Sequence, residues 1–308
     1  MSKAIKENVI NIKNYSNVES NEERLSVAKT YKLYINGAFP RSESGRYYEI
    51  KNKSGKFIAN AALASKKDLR DAVVSARNAF NSWSNKTAYN RGQILYRMAE
   101  ILEDRRSLFE AELTSLGYSI KSAINEINQS IDRLVCFAGW TDKFQQLSST
   151  VNPVNSSHFV FSNPEPMGVV VTVTPEEKSL LSLVSLIAPA VAGGNTVIAL
   201  SSDKNPLSAI TFAEVLNASD VPSGVINILT GNKSELIITA SEHMDINAII
   251  ISDLTETQEN QIRKCATNNL KRVFKRSLEQ IEDSTTAQSP YTILDTQEIK
   301  TTWHPIGR

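Results

Sequence analysis

Two hydrophobic rhythms run along this chain. Gly168–Val173 is a β-branched apolar run, Thr174–Lys178 interrupts it, and Leu180–Ala192 continues in small and aliphatic residues at helical length. Gly193-Gly194-Asn195 then marks a helix end and a tight turn, and Thr196–Leu200 is a second β-branched run. Strand, helix and strand over this span predict a βαβ crossover with both strands buried. The rhythm repeats downstream: helix Pro206–Leu216, a strand within Gly224–Gly231, helix Glu235–Ser241, strand Ala248–Ser252, helix Thr255–Leu270 and the run Lys271–Lys275. Such repetition predicts an α/β fold, a twisted, mainly parallel sheet with helices on both faces.

Upstream, Tyr31–Phe39 reads as a small hairpin, with Asn36-Gly37 supplying the turn. A helix from Ser65 or the adjoining Lys-Lys-Asp sets Leu69, Val73, Ala76, Ala79 and Phe80 on one face. Three more follow, from about Asn90, at Glu110–Leu116 and at Ile124–Gln145. Residues 1–29, rich in Asn, Lys, Glu and Ser, predict a mobile leader. The polar stretch 277–290 predicts a short exposed crossing, too small to be a domain.

Composition narrows the function classes. A formal charge of +1 gives no reason to expect nucleic acid or an anionic membrane as partner. Cys136 and Cys265 form no metal pair and no disulfide scaffold, and His158, His243 and His304 are scattered without metal spacing. The most apolar helix contains serines and Pro189 and falls short of a membrane span. A cytoplasmic protein without signal peptide is the expectation.

Pro164–Leu200 resembles the aldehyde dehydrogenase superfamily, whose pattern is P-x-G-V-V-x-x-x-x-P-W-N-F-P-L-L followed by A-P-A-L-A-A-G-N-T-V-V. The likeness extends to Leu33-Tyr-Ile-Asn-Gly, Phe137-Ala-Gly-Trp-Thr-Asp-Lys and Gly224-Val-Ile-Asn-Ile-Leu-Thr-Gly. It covers residues 31–276 and 291–308, and the family's catalytic domain is missing between them. The run Leu181-Ser-Leu-Val-Ser-Leu-Ile-Ala-Pro-Ala and the Trp-His-Pro-Ile-Gly ending are most similar to the degenerate second half of tandem, family-sixteen aldehyde dehydrogenases. The resemblance implies a Rossmann-like domain over residues 30–276, interrupted by a bridging strand at about 157–166. A second bridging strand over 291–308 would complete a projecting sheet, with Phe159, Phe161, Ile299, Trp303 and Ile306 as oligomerisation residues.

Family chemistry needs a cysteine nucleophile, an oxyanion donor and a general base. The nucleophile belongs to the missing domain. Cys265 and Cys136 read as small packing residues. Glu177 stands at the oxyanion asparagine, where an ionised carboxylate has no hydrogen to donate. Arg276 stands at the general-base glutamate. Cofactor positions have drifted too. Leu200 replaces the lysine at the adenosine ribose and Asp203 keeps a shortened acceptor. Asp253 replaces a glycine at the pyrophosphate helix, beside Ser252, where it reads as an N-cap. Thr174 and Pro175 complete this degenerate remnant. Glu176 and Glu177, adjacent in a turn, read as a solvated face rather than a carboxylate pair.

These readings predict a non-catalytic homologue, a structural or regulatory subunit of a full-length aldehyde dehydrogenase, or a chain self-associating through its bridging strands. No tightly bound cofactor is expected; NAD(P) follows from the resemblance alone. Two alternatives stand beside it: an NAD(P)-dependent oxidoreductase completed by a partner subunit, and a residual nucleotide-binding sensor. Deleting the catalytic domain is expected to bare the sheet face and edge it would have covered.

Overall fold

A computed structural model describes residues 28–307, so the leader expected over 1–29 lies, but for its last two positions, outside the described residues. The first strands, β1 (Thr30–Tyr31), β2 (Tyr47–Lys51) and β3 (Phe57–Ala62), form a small sheet in the order β1-β3-β2. Between β1 and β2, Asn36 and Gly37 take φ of 54° and 73° and close a two-residue turn joining Ile35 to Ala38. Asn-Gly adopts these left-handed angles with little strain.

Four long helices and one short one follow: α1 (Lys66–Ser84), α2 (Ala88–Asp104), α3 (Arg106–Ser115), α4 (Ile120–Trp140) and α5 (Phe144–Ser148). Ser65 caps α1 in a reciprocal capping box with Asp68, which fixes where the helix begins. Strands β4 (Thr150–Asn152) and β5 (His158–Pro166) lead to the repeating core: β6 (Val169–Val173), α6 (Ser179–Ala192), β7 (Thr196–Leu200), α7 (Leu207–Asn217), β8 (Ile226–Leu229), α8 (Lys233–Glu242), β9 (Ala248–Ile251), α9 (Glu256–Ala266) and β10 (Arg272–Lys275).

The core sheet has the order β10-β9-β6-β7-β8 and every pairing is parallel. The chain winds outward from β6 in both directions, as a doubly wound sheet does. Strands β6 to β9 are buried along their whole length, which explains their unbroken apolar runs. One face packs Val169, Val171, Ile198, Leu200 and Ile249 against α1, α8 and α9. The other packs Val197, Ala199 and Ile226 against α6, α7 and the helices upstream. Every residue of α6 is buried, so its apolar character all round is what its position demands.

The stretch after β10 is a short crossing with mostly exposed residues over 277–290, but it is helical and partly anchored: it forms α10 (Leu278–Glu282), α11 (Ser284–Ala287) and α12 (Tyr291–Leu294). Ile281, Ala287 and Ile293 are buried, and Ile281 packs on Leu181, Leu186, Val170 and Ile250. These three buried side chains thus cover sheet and helix surface that the missing domain was expected to leave bare. Among the described residues, the outer edge of β10 has no strand partner.

The last strand, β11 (Gln297–Pro305), pairs antiparallel with β5 from Gln297↔Pro166 to Pro305↔His158. With β4 this makes a three-stranded sheet, β11-β5-β4, separate from the core sheet. Its root is held by Asn195, whose side chain accepts from the Gly168 amide at 3.0 Å and donates to the Thr296 carbonyl at 3.0 Å.

Candidate functional site

Ligands of parallel α/β sheets bind beyond the carboxyl ends of the strands, so the segments after β6, β7, β8 and β9 are where a site belongs. Here those segments are tied to one another. The Glu176 carboxylate accepts from the Ser202 hydroxyl at 2.7 Å, the Lys204 amide at 3.0 Å and the Asp203 amide at 3.4 Å, and it forms an ion pair with Lys233. Lys233, the first residue of α8, also donates its ammonium to the Thr174 carbonyl at 2.7 Å. Its amide donates to both Asp203 oxygens at 3.3 Å. Burial opposes ionisation of Glu176, yet Lys233 and the surrounding donors hold its pKa below the usual carboxylate range. Burial, reinforced by the Glu176 charge, pushes Asp203 up to about 6.

Glu176 is therefore not the solvated residue its place beside another glutamate suggested; only Glu177 is exposed. One sequence feature pointed to the network. A lysine in the first turn of a helix opposes the macrodipole, and Lys233 there needs a nearby carboxylate.

The remaining predicted positions are placed as follows. Leu200 is fully buried in the core cluster with α1 and α8. Thr174 and Ser252 are buried, and their hydroxyls have no hydrogen-bond partner. Pro175 is buried beside them. Asp253 is not the N-cap of α9. Thr255 caps that helix in a box with Gln258, and Asp253, exposed with φ 54°, takes the left-handed conformation that suits the glycine it replaces. Arg276 forms an ion pair with Asp295, joining the end of β10 to the approach of β11. Cys265 and Cys136 are both half-buried rather than fully packed away. The Cys136 thiol lies 3.6 Å from the Gln288 carbonyl of the linker, and burial raises its pKa.

Helix N-termini that would attract an anion already have acceptors. At α6, the amides of Leu180 and Leu181 donate to Glu126 of α4 at 2.9 and 3.4 Å. At α8, Asn232 takes the amides of Ser234 and Glu235. At α9, Thr255 takes that of Gln258. Glu126 is fully buried, and burial raises its pKa despite the two amides and Lys178. A carboxyl raised in the folded state stabilises fully below its unfolded pKa, and that contribution is lost as pH rises through the folded one. Glu126→Gln, which stays neutral, should therefore gain on wild type between pH 5 and pH 8. Urea unfolding at the two values measures this; a gap independent of pH would mean that Glu126 stays charged throughout.

Apolar side chains on the bridging sheet remain outside the core. Phe159, Ile299, Trp303 and Ile306 are exposed, and Phe161 is half-buried. Val160 lies opposite Trp303 and Pro164 opposite Ile299 on one face; Phe159 and Phe161 lie on the other, their rings 5.8 Å apart. A surface groove of about 980 Å³ is lined by α2 and α4 residues such as Tyr89, Tyr96 and Val135, and by no strand-end residue.

NAD(P), which the family resemblance implies, does not fit these residues. Asp203, expected at the ribose, is committed to the Lys233 amide, and the Glu176–Lys233 pair bridges the ends of β6 and β8. Among the described residues, no helix is long and apolar enough to cross a membrane.

Comparison with known proteins agrees with the fold. The profile described as "Aldehyde dehydrogenase family" matches residues 39–279. A cytosolic 10-formyltetrahydrofolate dehydrogenase of Xenopus tropicalis is 33% identical over 262 residues, 83% of this chain and 29% of that protein. Aldehyde dehydrogenase, cytosolic 1, of Elephantulus edwardii is 33% identical over 248 residues, 79% of this chain and 49% of that protein. An aldehyde dehydrogenase from Bacillus cereus superposes with a TM-score of 0.77 at 25% identity, covering 81% of this chain and 51% of that one. A betaine aldehyde dehydrogenase from Staphylococcus aureus, solved in complex with NAD+, gives 0.76 at 26% identity, with 80% and 50% covered. The chain thus spans about half of these solved structures and under a third of the formyltetrahydrofolate dehydrogenase.

Proposed function

The chain belongs to the aldehyde dehydrogenase family, and from that membership we propose that it is a non-catalytic homologue serving as a structural or regulatory subunit of a full-length aldehyde dehydrogenase. One contrast carries the reading. The general-base position holds Arg276, neutralised by Asp295, and the oxyanion position holds an exposed carboxylate, while the sheet of β4, β5 and β11 keeps its register and its exposed aromatics. An arginine beside an aspartate cannot accept a proton at neutral pH, and Glu177 repels a developing oxyanion. A chain losing its fold together with its chemistry would not keep nine paired residues on a projecting sheet.

Closure of the sheet face by α10 removes one reason to expect a partner. The bridging sheet supplies the other, because exposed Ile299 and Trp303 on an edge strand favour pairing. A cytoplasmic location forms part of this proposal. Co-expression with the full-length aldehyde dehydrogenase of the same cell, followed by native mass spectrometry, tests it. A defined complex containing both chains is expected; a monodisperse monomer indifferent to that enzyme would sink the reading.

A further inference from the structure

Resting on that non-catalytic reading and extending it, we propose that Glu176 is an internal ligand. The cradle made by the Ser202 hydroxyl, the Asp203 and Lys204 amides and the Lys233 ammonium is a complete site for a small phosphate or carboxylate anion, and the chain's own carboxylate holds it shut.

The geometry of the donors supports this. They come from two separate segments, the turn after β7 and the first turn of α8, and converge on one side chain from the turn after β6. Two successive backbone amides, a hydroxyl and an ammonium form the kind of donor set that binds oxyanions. The Lys233 side chain is only 11% exposed, and its ammonium is bonded to the Thr174 carbonyl, so Glu176 rather than water completes its coordination. The Glu176 side chain is 23% exposed, and a cleft of about 440 Å³ reaches Asp203 and Lys204 between Tyr48 and Tyr118. An anion from solution therefore has a path to the cradle. The Asp203 carboxylate, bonded to the Lys233 amide, adjoins the cradle and sets the size limit, because a bulky anion would meet its charge.

A purely structural ion pair and an internal ligand differ in one respect: only the latter is replaceable from solution. Thermal melts and calorimetric titrations of wild type, Glu176→Ala and the double variant Glu176→Ala/Lys233→Met, with inorganic phosphate, acetate and NAD+ as probes, separate them. Glu176→Ala should lose melting temperature and regain it with phosphate or acetate, binding phosphate at least about tenfold more tightly than wild type. Wild type and the double variant should show no such recovery. If Glu176→Ala does not fold, Glu176→Gln keeps the side-chain volume while removing the charge, and phosphate should stabilise it more than it stabilises wild type. Equal anion effects in all variants, or none in folded Glu176→Ala or Glu176→Gln, would overturn the proposal. Recovery with phosphate or acetate but not with NAD+ supports the small-anion site; recovery with NAD+ as strong as with phosphate would overturn the size limit and with it the site as proposed. Aldehyde oxidation by wild type would end the non-catalytic reading and leave the phosphate result standing.

Discussion

Replacing Asn195 by alanine should lower the unfolding free energy by about 3 kcal/mol, because it strands a buried backbone N–H and severs three elements at once. The Asn195 side chain is completely buried. Its oxygen accepts from Gly168 at the start of β6, and its nitrogen donates to the Thr296 carbonyl and hydroxyl and to Ala190 at the end of α6. Thr296 keeps the Met167 amide and the Gln297 side chain as donors, so the main cost falls on Gly168. A loss of that size corresponds to a fall of roughly 6–12 °C in melting temperature for a domain of this scale. Amides of β11 near Gln297 should exchange faster, since the root of the bridging sheet has been cut. A fall under about 1 kcal/mol would mean that water replaces the amide and that this junction is not the anchor inferred here.

Ending the chain after Gln297 should weaken association with the partner enzyme while leaving the core folded. Thr296 and Gln297 are buried and bonded to Asn195 and Gly193, so the cut must fall beyond them. From Glu298 onward the strand's side chains are exposed, and it is tied to β5 by the antiparallel backbone ladder, a Ser162–Thr301 hydroxyl bond, the Lys300–Glu165 ion pair and an edge-on contact of His158 with Trp303. No residue beyond Gln297 belongs to the hydrophobic core, so the core should stay folded while β5 loses its ladder partner and its amides exchange faster. Trp303 and Ile299 leave with the strand, and large apolar side chains dominate interface energies. Affinity for the partner should then drop at least about a hundredfold, near 2.7 kcal/mol. Undiminished binding by the truncated chain would move the interface elsewhere.

The core was readable because burial on both faces leaves an unambiguous trace. Val169–Val173, Thr196–Leu200 and Ala248–Ile251 could be little else than parallel strands. The turn Asn36-Gly37 and the start of the helix at Ser65 or the adjoining Lys-Lys-Asp were legible for a similar reason, since local chemistry decides them, and the structure fixes Ser65 as the cap. The linker was not. Ile281, Ala287 and Ile293 are too widely spaced to give a period, and the caps at Ser277 and Asp283 together with the surface beneath turn the segment into three short helices. Asp253 was misread because side-chain chemistry suggested a cap where the backbone required a left-handed residue. Glu176 was missed because its partner, Lys233, is distant in sequence and reaches it only through the parallel order of β6, β7 and β8. Leu200 was legible as a lost lysine, though not as a core side chain.

Aldehyde turnover by the purified chain tests the central claim most directly. On the proposed non-catalytic reading, short aliphatic and aromatic aldehydes, with NAD+ or NADP+, should give reduced cofactor at the rate of a protein-free control, because Arg276, paired with Asp295, holds the position the family resemblance gives to the base and the Glu176–Lys233 pair bridges the strand ends. Saturable production of reduced cofactor that disappears in Cys265→Ala or Cys136→Ala would contradict the account.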